Sequence, residues 1–437
     1  MKTDNMNRIP GIRGMTSQLP NMAEVQRHIA NLLINSAHSC GYREVNLPIL
    51  EHTELFLRSI GAGTDIVGKE MYSFPDRHGN SLTLRPEGTA SCVRTAIEHH
   101  LGQRKTERFW YTGPMFRYER PQKGRSRQFH QFGLEAIGFE HSSIETEMLL
   151  LTARMWSDLG LDLERHLELH ISTLGNAESR SQYKQKLYDY LDAYRTELDF
   201  VSQERLDSNP LRIFDSKDAS TQKIMEDAPV MMNYLDAESS AYFEHFQHDL
   251  AQTGLRFTLN PKLVRGLDYY NHTVFEWVAP AGLGAQSTIC GGGRYDGLFT
   301  LLGGNPTPAA GCAVGLERLG LLLESLKLTP VVPGLRFLVA LIPESPRGQL
   351  LQLAESVRST DPNWTVTTYL GSASLKTQMK QAHSEQIDYV ILAGPKELTQ
   401  GHIKVRSMQS GQEQSFNLSS LSTLSDWVRS SQEAVQQ

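Results

Sequence analysis

The sequence predicts an α+β sheet domain interrupted by a helical insertion and followed by a separate α/β domain. Three observations carry that expectation. A strand, a turn and a second strand between Gly113 and Glu135 mark antiparallel sheet. Residues 175–255 lose glycine and gain helical periodicity, and beyond a proline-marked segment at 327–334 strand-like runs alternate with helical ones. The expected boundaries are 1–174 and 256–326 for the two parts of the sheet domain, 175–255 for the insertion, 327–334 for the linker and 335–437 for the C-terminal domain. At 437 residues the chain exceeds the size at which one core keeps growing, so two or three domains accord with its length.

Taken in order, Val25, Ile29, Leu32, Leu33 and Ala37 recur at helical spacing, and Gly41 supplies a stop, which predicts a helix over 24–40. Val45, Leu47 and Ile49 predict a strand in which Pro48 is tolerated only at an edge or an interface. Met115, Arg117 and Glu119 alternate with Phe116 and Tyr118, which places Arg117 and Glu119 on one strand face; Phe129, Gln131, Gly133 and Glu135 repeat the period. In the insertion, Tyr183, Leu187, Tyr190, Leu191, Tyr194 and Leu198 keep helical spacing. Strands resume at LRFTL (255–259) and TVFEWV (273–278), and glycine clusters over 282–297 before the last helix of the domain. RFLVALIP, TVTTYL and DYVILAG then alternate with the helical stretches LLQLAESVRS and LKTQMKQAHSE.

Composition leaves the partner open. With 39% hydrophobic residues, 21% charged residues and a net charge of -6, the chain reads as an ordinary soluble protein, so any polyanion must be met by a local basic surface. Cys40, Cys92, Cys290 and Cys312 are scattered without metal-ligand spacing, which indicates neither a zinc site nor a disulfide framework and points to a reducing compartment. MKTDNMNRIPGIRG carries no apolar segment of the signal-peptide kind, and no apolar run approaches the ~20 residues that span a bilayer; a cytoplasmic location is expected.

The turn RPQKGRSR (120–127) carries Arg120, Lys123, Arg125 and Arg127 and no acidic residue. Guanidinium forks match phosphate oxygens two at a time, and the Phe129 ring offers a stacking face for a base. On composition alone, an ordinary hairpin with a solvated basic tip is an equal reading.

FRYE followed by RQFHQFGLE resembles motif 2 of the class II aminoacyl-tRNA synthetases; GYREVNLPIL (41–50) resembles motif 1 and GCAVGLERLGLLLE (311–324) motif 3. LVRGLDYYNHTVFEW (263–277) and GGGRYDGL (291–298) resemble the two blocks peculiar to the histidyl-tRNA synthetase family. Five blocks in matching order carry far more weight than a lone FRxE. The resemblance implies a class II antiparallel catalytic domain with a helical insertion and a C-terminal anticodon-binding domain. For that last domain it is the sole support, since nine Lys plus Arg are balanced there by nine Asp plus Glu.

The resemblance also implies roles. Arg117 would contact the α-phosphate of ATP and Arg125 the γ-phosphate, Phe129 and Arg318 would sandwich the adenine, and Glu119 would orient it. GCAVGLER lacks the GxxxxGK[ST] spacing of a P-loop, so arginines rather than a nest of amides should hold the phosphates. Arg265 would sit near the α-phosphate and the substrate carboxylate. Glu135 and Tyr270 would meet the imidazole, Tyr269 and Tyr295 would line the same cavity, and Glu87, Thr89 and Gln131 would take the α-amino group. Arg120 and Gln122 would read the acceptor end of tRNA(His). ATP with Mg²⁺, L-histidine, tRNA(His) and a homodimer follow as partners, with no membrane and no dedicated metal ligand.

Each role has a structural competitor. Arg318 would cap its helix or pair with Glu317 or Glu324, Arg265 would pair with Asp268, and the tyrosines would pack in a core. No role is assigned to His130, His272 or His402. At the level of function the competitors are a histidine-binding regulatory paralogue of an ATP phosphoribosyltransferase complex, another class II synthetase, and a plain nucleotide-binding protein. Retention of Arg117, Arg265 and Arg318 together with the C-terminal domain argues against the first, and LVRGLDYYNHTVFEW against the second.

Overall fold

In a computed structural model the described residues are 9–61, 64–103, 105–283, 287–329 and 334–436. The chain divides into two units, Met1–Pro330 and Val331–Gln437. Residues 330–333 of the expected linker and 284–286 of the glycine-rich stretch lie outside the described residues.

The first unit begins with α1 (Pro20–Ser39), β1 (Arg43–Glu44), β2 (Leu50–His52), α2 (Thr53–Ile60), β3 (Tyr72–Pro75), β4 (Ser81–Leu84) and α3 (Thr89–Glu98). The long pair β5 (Glu107–Phe116) and β6 (Gln128–Ile137) leads to α4 (Ser143–Asp158) and β7 (Glu168–Thr173). Helices α5 (Ala177–Asp192), α6 (Phe200–Ser208), α7 (Ala219–Glu226) and α8 (Ala237–Gln252) follow. The unit closes with β8 (Thr258–Leu259), β9 (Asn271–Val278), β10 (Thr288–Arg294), α9 (Leu298–Leu301), β11 (Ala309–Gly315) and α10 (Leu316–Ser325).

Eight strands form one sheet in the order β1-β5-β6-β11-β10-β9-β7-β8. Its interior pairs are antiparallel, and only the short edge pairs β1 with β5 and β7 with β8 run parallel. The period of two along β6 decides what each face does. Phe132, Leu134 and Ala136 enter a core with Ile29 and Leu33 of α1, Met148 and Trp156 of α4, and Leu319 and Leu322 of α10. Each fully buried Leu, Ile, Phe or Met side chain among them favours the fold by about 1.5–3 kcal/mol. Gln131, Gly133 and Glu135 alternate with them, and thus share the opposite face with Tyr111 on β5.

Three strand expectations are corrected. Residues 45–49 are not a strand, because Arg85 takes the carbonyls of Leu47 (2.7 Å), Pro48 (3.3 Å) and Pro114 (2.9 Å) and draws the segment out of the ladder. The strand expected to reach Glu119 stops at Phe116, since the Glu119 amide turns back onto the Arg117 carbonyl at 2.8 Å. Of LRFTL only Thr258 and Leu259 pair, with β7.

The second unit holds β12 (Arg336–Ala340), α11 (Arg347–Arg358), β13 (Thr365–Thr368), α12 (Leu375–Ser384), β14 (Tyr389–Leu392), α13 (Pro395–Gln400), β15 (His402–Ser407), β16 (Glu413–Asn417) and α14 (Ser422–Gln436). Its sheet runs β13-β12-β14-β15-β16, parallel across the first three strands and antiparallel beyond. Phe337, Val339 and Ile391 pack on one face, Leu338, Ala340 and Val390 on the other, which is why β12 and β14 read as unbroken apolar runs.

Candidate active site

The basic turn closes through paired backbone bonds between Gln122 and Arg125, at 3.1 and 2.9 Å. Gly124 takes the left-handed position of that turn, with φ at 75°. Arg120 and Gln122 are exposed at its tip. One cation of the turn finds a counterion just outside it: Arg125 Nε lies 3.1 Å from Glu119 Oε2, while Arg117, before the turn, has Nη1 4.0 Å from Glu119 Oε1. Arg127 stacks over Tyr118 at 3.8 Å.

Arg117 donates to the Pro86 carbonyl (2.9 Å) and lies over the Phe129 ring at 5.2 Å. Arg318, at the start of α10, donates to the Thr288 carbonyl (2.5 Å) and the Gly124 carbonyl (3.4 Å) rather than to Glu317 or Glu324. Burial first, and then the neighbouring Arg125 and Arg117, hold its pKa below the usual guanidinium value. Three guanidinium groups brought together, one of them held below its usual proton affinity by burial and by the other two, form a site suited to a polyanion.

Beside these cations lies a buried cluster of tyrosines and carboxylates, the candidate histidine pocket. Glu135 is completely buried, and its carboxylate accepts from Thr89 Oγ1 (2.7 Å), Tyr111 Oη (3.0 Å) and Tyr295 Oη. Burial pushes its pKa up to about 8, in spite of those three donors and with help from the Glu87 charge. Glu87 is buried at the start of α3, where it accepts from the amides of Thr89 (2.7 Å) and Ala90 (2.9 Å); burial raises its pKa as well. Tyr269 Oη stands 3.4 Å from Glu87, and the rings of Tyr269, Tyr270 and Tyr295 meet at 4.7–6.4 Å. Gln131 Oε1 is buried without a hydrogen-bond partner among the described residues.

Glycines let these side chains lie directly against the sheet backbone. A Cβ at Gly311 would fall 1.8 Å from Glu135 Oε2, one at Gly133 would fall 2.2 Å from the Tyr111 ring, and one at Gly291 would fall 2.4 Å from Arg265 Nη1. Arg265 itself pairs with Glu276 of β9, not with Asp268, and lies 5.6 Å over the Tyr270 ring. Burial alone would lower its pKa, but Glu276 and the tyrosines keep it above the usual value, so the guanidinium is a fixed charge. Asp268 instead takes Arg180 and Lys184.

The cations and the pocket thus adjoin, through Arg117 on the Pro86 carbonyl beside Glu87. A family model described as Histidyl-tRNA synthetase matches residues 14–319, and one described as Anticodon binding domain matches 339–429. The chain is 46% identical over 418 residues to a histidine–tRNA ligase of Marinomonas sp. (strain MWYL1), covering 95% of this chain and 98% of that one. The chain belongs to the histidyl-tRNA synthetase family. Among solved structures it resembles apo histidyl-tRNA synthetase of S. aureus, with a TM-score of 0.76 and 34% identity over 96% of this chain and 99% of that one. A histidyl-tRNA synthetase of Nostoc sp. PCC 7120 shares the fold at a TM-score of 0.67 and 16% identity, covering 96% and 99% of the two chains.

The histidyl-tRNA synthetase fold accounts for residues that sequence reasoning passed over. Glu276 was legible only as a lone carboxylate in the apolar run HTVFEWV, and Tyr111 gave no signal beyond strand alternation. His130, left without a role, directs both its amide (2.8 Å) and its ring Nδ1 (2.7 Å) to Glu317, which ties β6 to α10 between Phe129 and Arg318.

Proposed function

We propose that the chain is a histidine–tRNA ligase working through histidyl-adenylate, with the site residues in the following roles. The histidine carboxylate attacks the α-phosphorus of ATP, the bond to the β-phosphate breaks and pyrophosphate leaves. A hydroxyl at the 3′ end of tRNA(His) then attacks the activated carbonyl, and AMP leaves.

Arg117 and Arg265 bracket the α-phosphate and stabilise charge developing there without proton transfer. Arg125 takes the γ-phosphate in exchange for Glu119, Glu119 orients the adenine, and Phe129 and Arg318 hold its two faces. Glu135, Tyr270 and Tyr295 meet the imidazole with Tyr269 beside them, while Glu87, Thr89 and Gln131 take the ammonium. Arg120 and Gln122 at the exposed turn reach the acceptor end of tRNA(His). Mg²⁺ enters with ATP as a counterion of its phosphates; among the described residues there is no group of three His, Cys, Asp or Glu side chains fit to hold a metal ion.

The observation that carries this reading is a buried carboxylate fed by three hydroxyl donors, set against a fixed guanidinium and a crowded arginine cluster. Exposed Ile49, Leu50, Phe74 and Tyr118 support a homodimer, and four free cysteines fit the cytoplasm. No helix among the described residues is long and apolar enough to cross a membrane. The test is amino-acid-dependent exchange of pyrophosphate into ATP with all twenty amino acids separately and without tRNA. Exchange with histidine alone is expected; histidine binding without exchange would move the chain to the regulatory role.

A further inference from the structure

We propose that Arg180, on the first helix of the insertion, is a positioning residue for the histidine pocket. The inference rests on the roles given above to Arg265, Tyr269 and Tyr270. Those residues sit on a segment, 263–270, that forms neither helix nor strand and so has no ladder of its own to fix its shape. Its shape comes from outside. Arg180 Nη1 donates to the carbonyl oxygens of Asp268 (2.8 Å) and Tyr270 (3.1 Å), and Nη2 pairs with the Asp268 carboxylate. One guanidinium thereby sets the backbone at Asp268 and Tyr270, on either side of Tyr269.

The grip is reinforced from the same insertion. Arg205 and Arg212 reach Asp65, in the segment after α2, at 2.9 and 3.3 Å. A Cβ at Gly266 would stand 3.3 Å from Arg212 Nη1, so the arginine lies close against the loop. The Asp268 amide donates to the Ile60 carbonyl at 3.2 Å, joining the loop to the end of α2. α5 also caps itself firmly: Asn176 accepts from the Ser179 amide at 2.9 Å, which fixes the first turn from which Arg180 projects.

A planar fork that bridges two carbonyls and a carboxylate is not reproduced by a flexible ammonium, so Arg180→Lys separates geometry from charge. Misplacing reacting groups by a fraction of a bond length is enough to lower turnover. By linkage, whatever the insertion does to histidine affinity, histidine does equally to the insertion.

The test is histidine-dependent pyrophosphate exchange by the full chain, comparing wild type with Arg180→Gln, Arg180→Lys and Asp268→Asn. In Arg180→Gln the KM for histidine should rise about tenfold to a hundredfold, the worth of hydrogen bonds from a charged donor. Its KM for ATP should rise less than its KM for histidine, because Arg180 holds Asp268 and Tyr270 directly and Arg265 only through the intervening chain. Asp268→Asn keeps both carbonyl contacts, so its histidine KM should rise less; this milder variant keeps the test open if Arg180→Gln does not fold. An equal rise in both KM values, or none, overturns the role of Arg180. Failure of the wild type to exchange with histidine would instead overturn the reading of the pocket.

Discussion

Glu135 gives the sharpest prediction, because its pKa and that of the substrate straddle neutrality. Its carboxyl titrates at about 8 instead of its ordinary 4.5, while a free imidazole titrates near ~6.5. At pH 7 roughly nine-tenths of the ligand-free protein therefore presents a neutral acid to a mostly neutral ring. One proton serves the pair. Below the imidazole pKa both partners are protonated, and above that of Glu135 neither carries the shared proton, so histidine KM should be lowest between about 6.5 and 8 and rise up to tenfold per pH unit on the alkaline side. Glu135→Gln removes the titrating group. Its histidine KM should increase up to about tenfold at neutral pH, corresponding to a neutral hydrogen bond of ~0.5–1.5 kcal/mol, and should lose the alkaline limb, with ATP KM little changed.

The same shift makes a statement about stability. Because the folded pKa lies above the unfolded one, the neutral acid favours the ligand-free fold; that contribution is complete below pH 4.5 and is lost as pH rises through about 8. Over that window it amounts to about 5 kcal/mol at most. The assays are pyrophosphate exchange and thermal denaturation from pH 5 to 9. A wild-type histidine KM that stays flat through pH 9, or an unchanged alkaline limb in Glu135→Gln, would refute the reasoning.

Arg265→Ala should slow adenylate formation about 10²- to 10³-fold in single-turnover measurements, the typical effect of losing one preorganised donor at developing charge; near wild-type rates would remove Arg265 from the chemistry. Arg294 and Glu145 form a buried bidentate pair, both bonds at 2.8 Å, so Arg294→Met should cost about 3–5 kcal/mol in chemical denaturation by leaving Glu145 uncompensated. Adding Glu145→Leu should recover most of that loss, and no recovery would show that the cost lies in packing. Gln122→Ala should lower charging of tRNA while sparing pyrophosphate exchange, and an equal loss in both assays would place Gln122 at the ATP site instead.

What the sequence disclosed depended on whether chemistry was local. The strand period that placed Gln131, Gly133 and Glu135 together operates over a few residues and needs no tertiary knowledge. The counterions of the arginines were another matter. Arg265 had Asp268 three residues away and took Glu276 on β9 instead, while Asp268 was claimed by Arg180 from the insertion. Nearest carboxylate in sequence is a poor guide once loops fold back. The strand at 45–49 failed similarly, since the carbonyls that would have laddered were taken by Arg85, a side chain 37 and 38 residues on with no local signature. His130 remained silent because its partner, Glu317, comes from the far end of the domain.

Truncation scanning probes a site by deleting atoms and asking what is missed. At Gly133, Gly291 and Gly311 the pocket is shaped by atoms that do not exist, and such a scan passes over them in silence. Informative substitutions at these positions run the other way, adding a single methyl group and reading which of Glu135, Tyr111 and Arg265 is pushed from its place. For anyone refitting this scaffold to a different amino acid, the backbone of β6, β10 and β11 sets the hard floor, and the rings above it are the parts free to change.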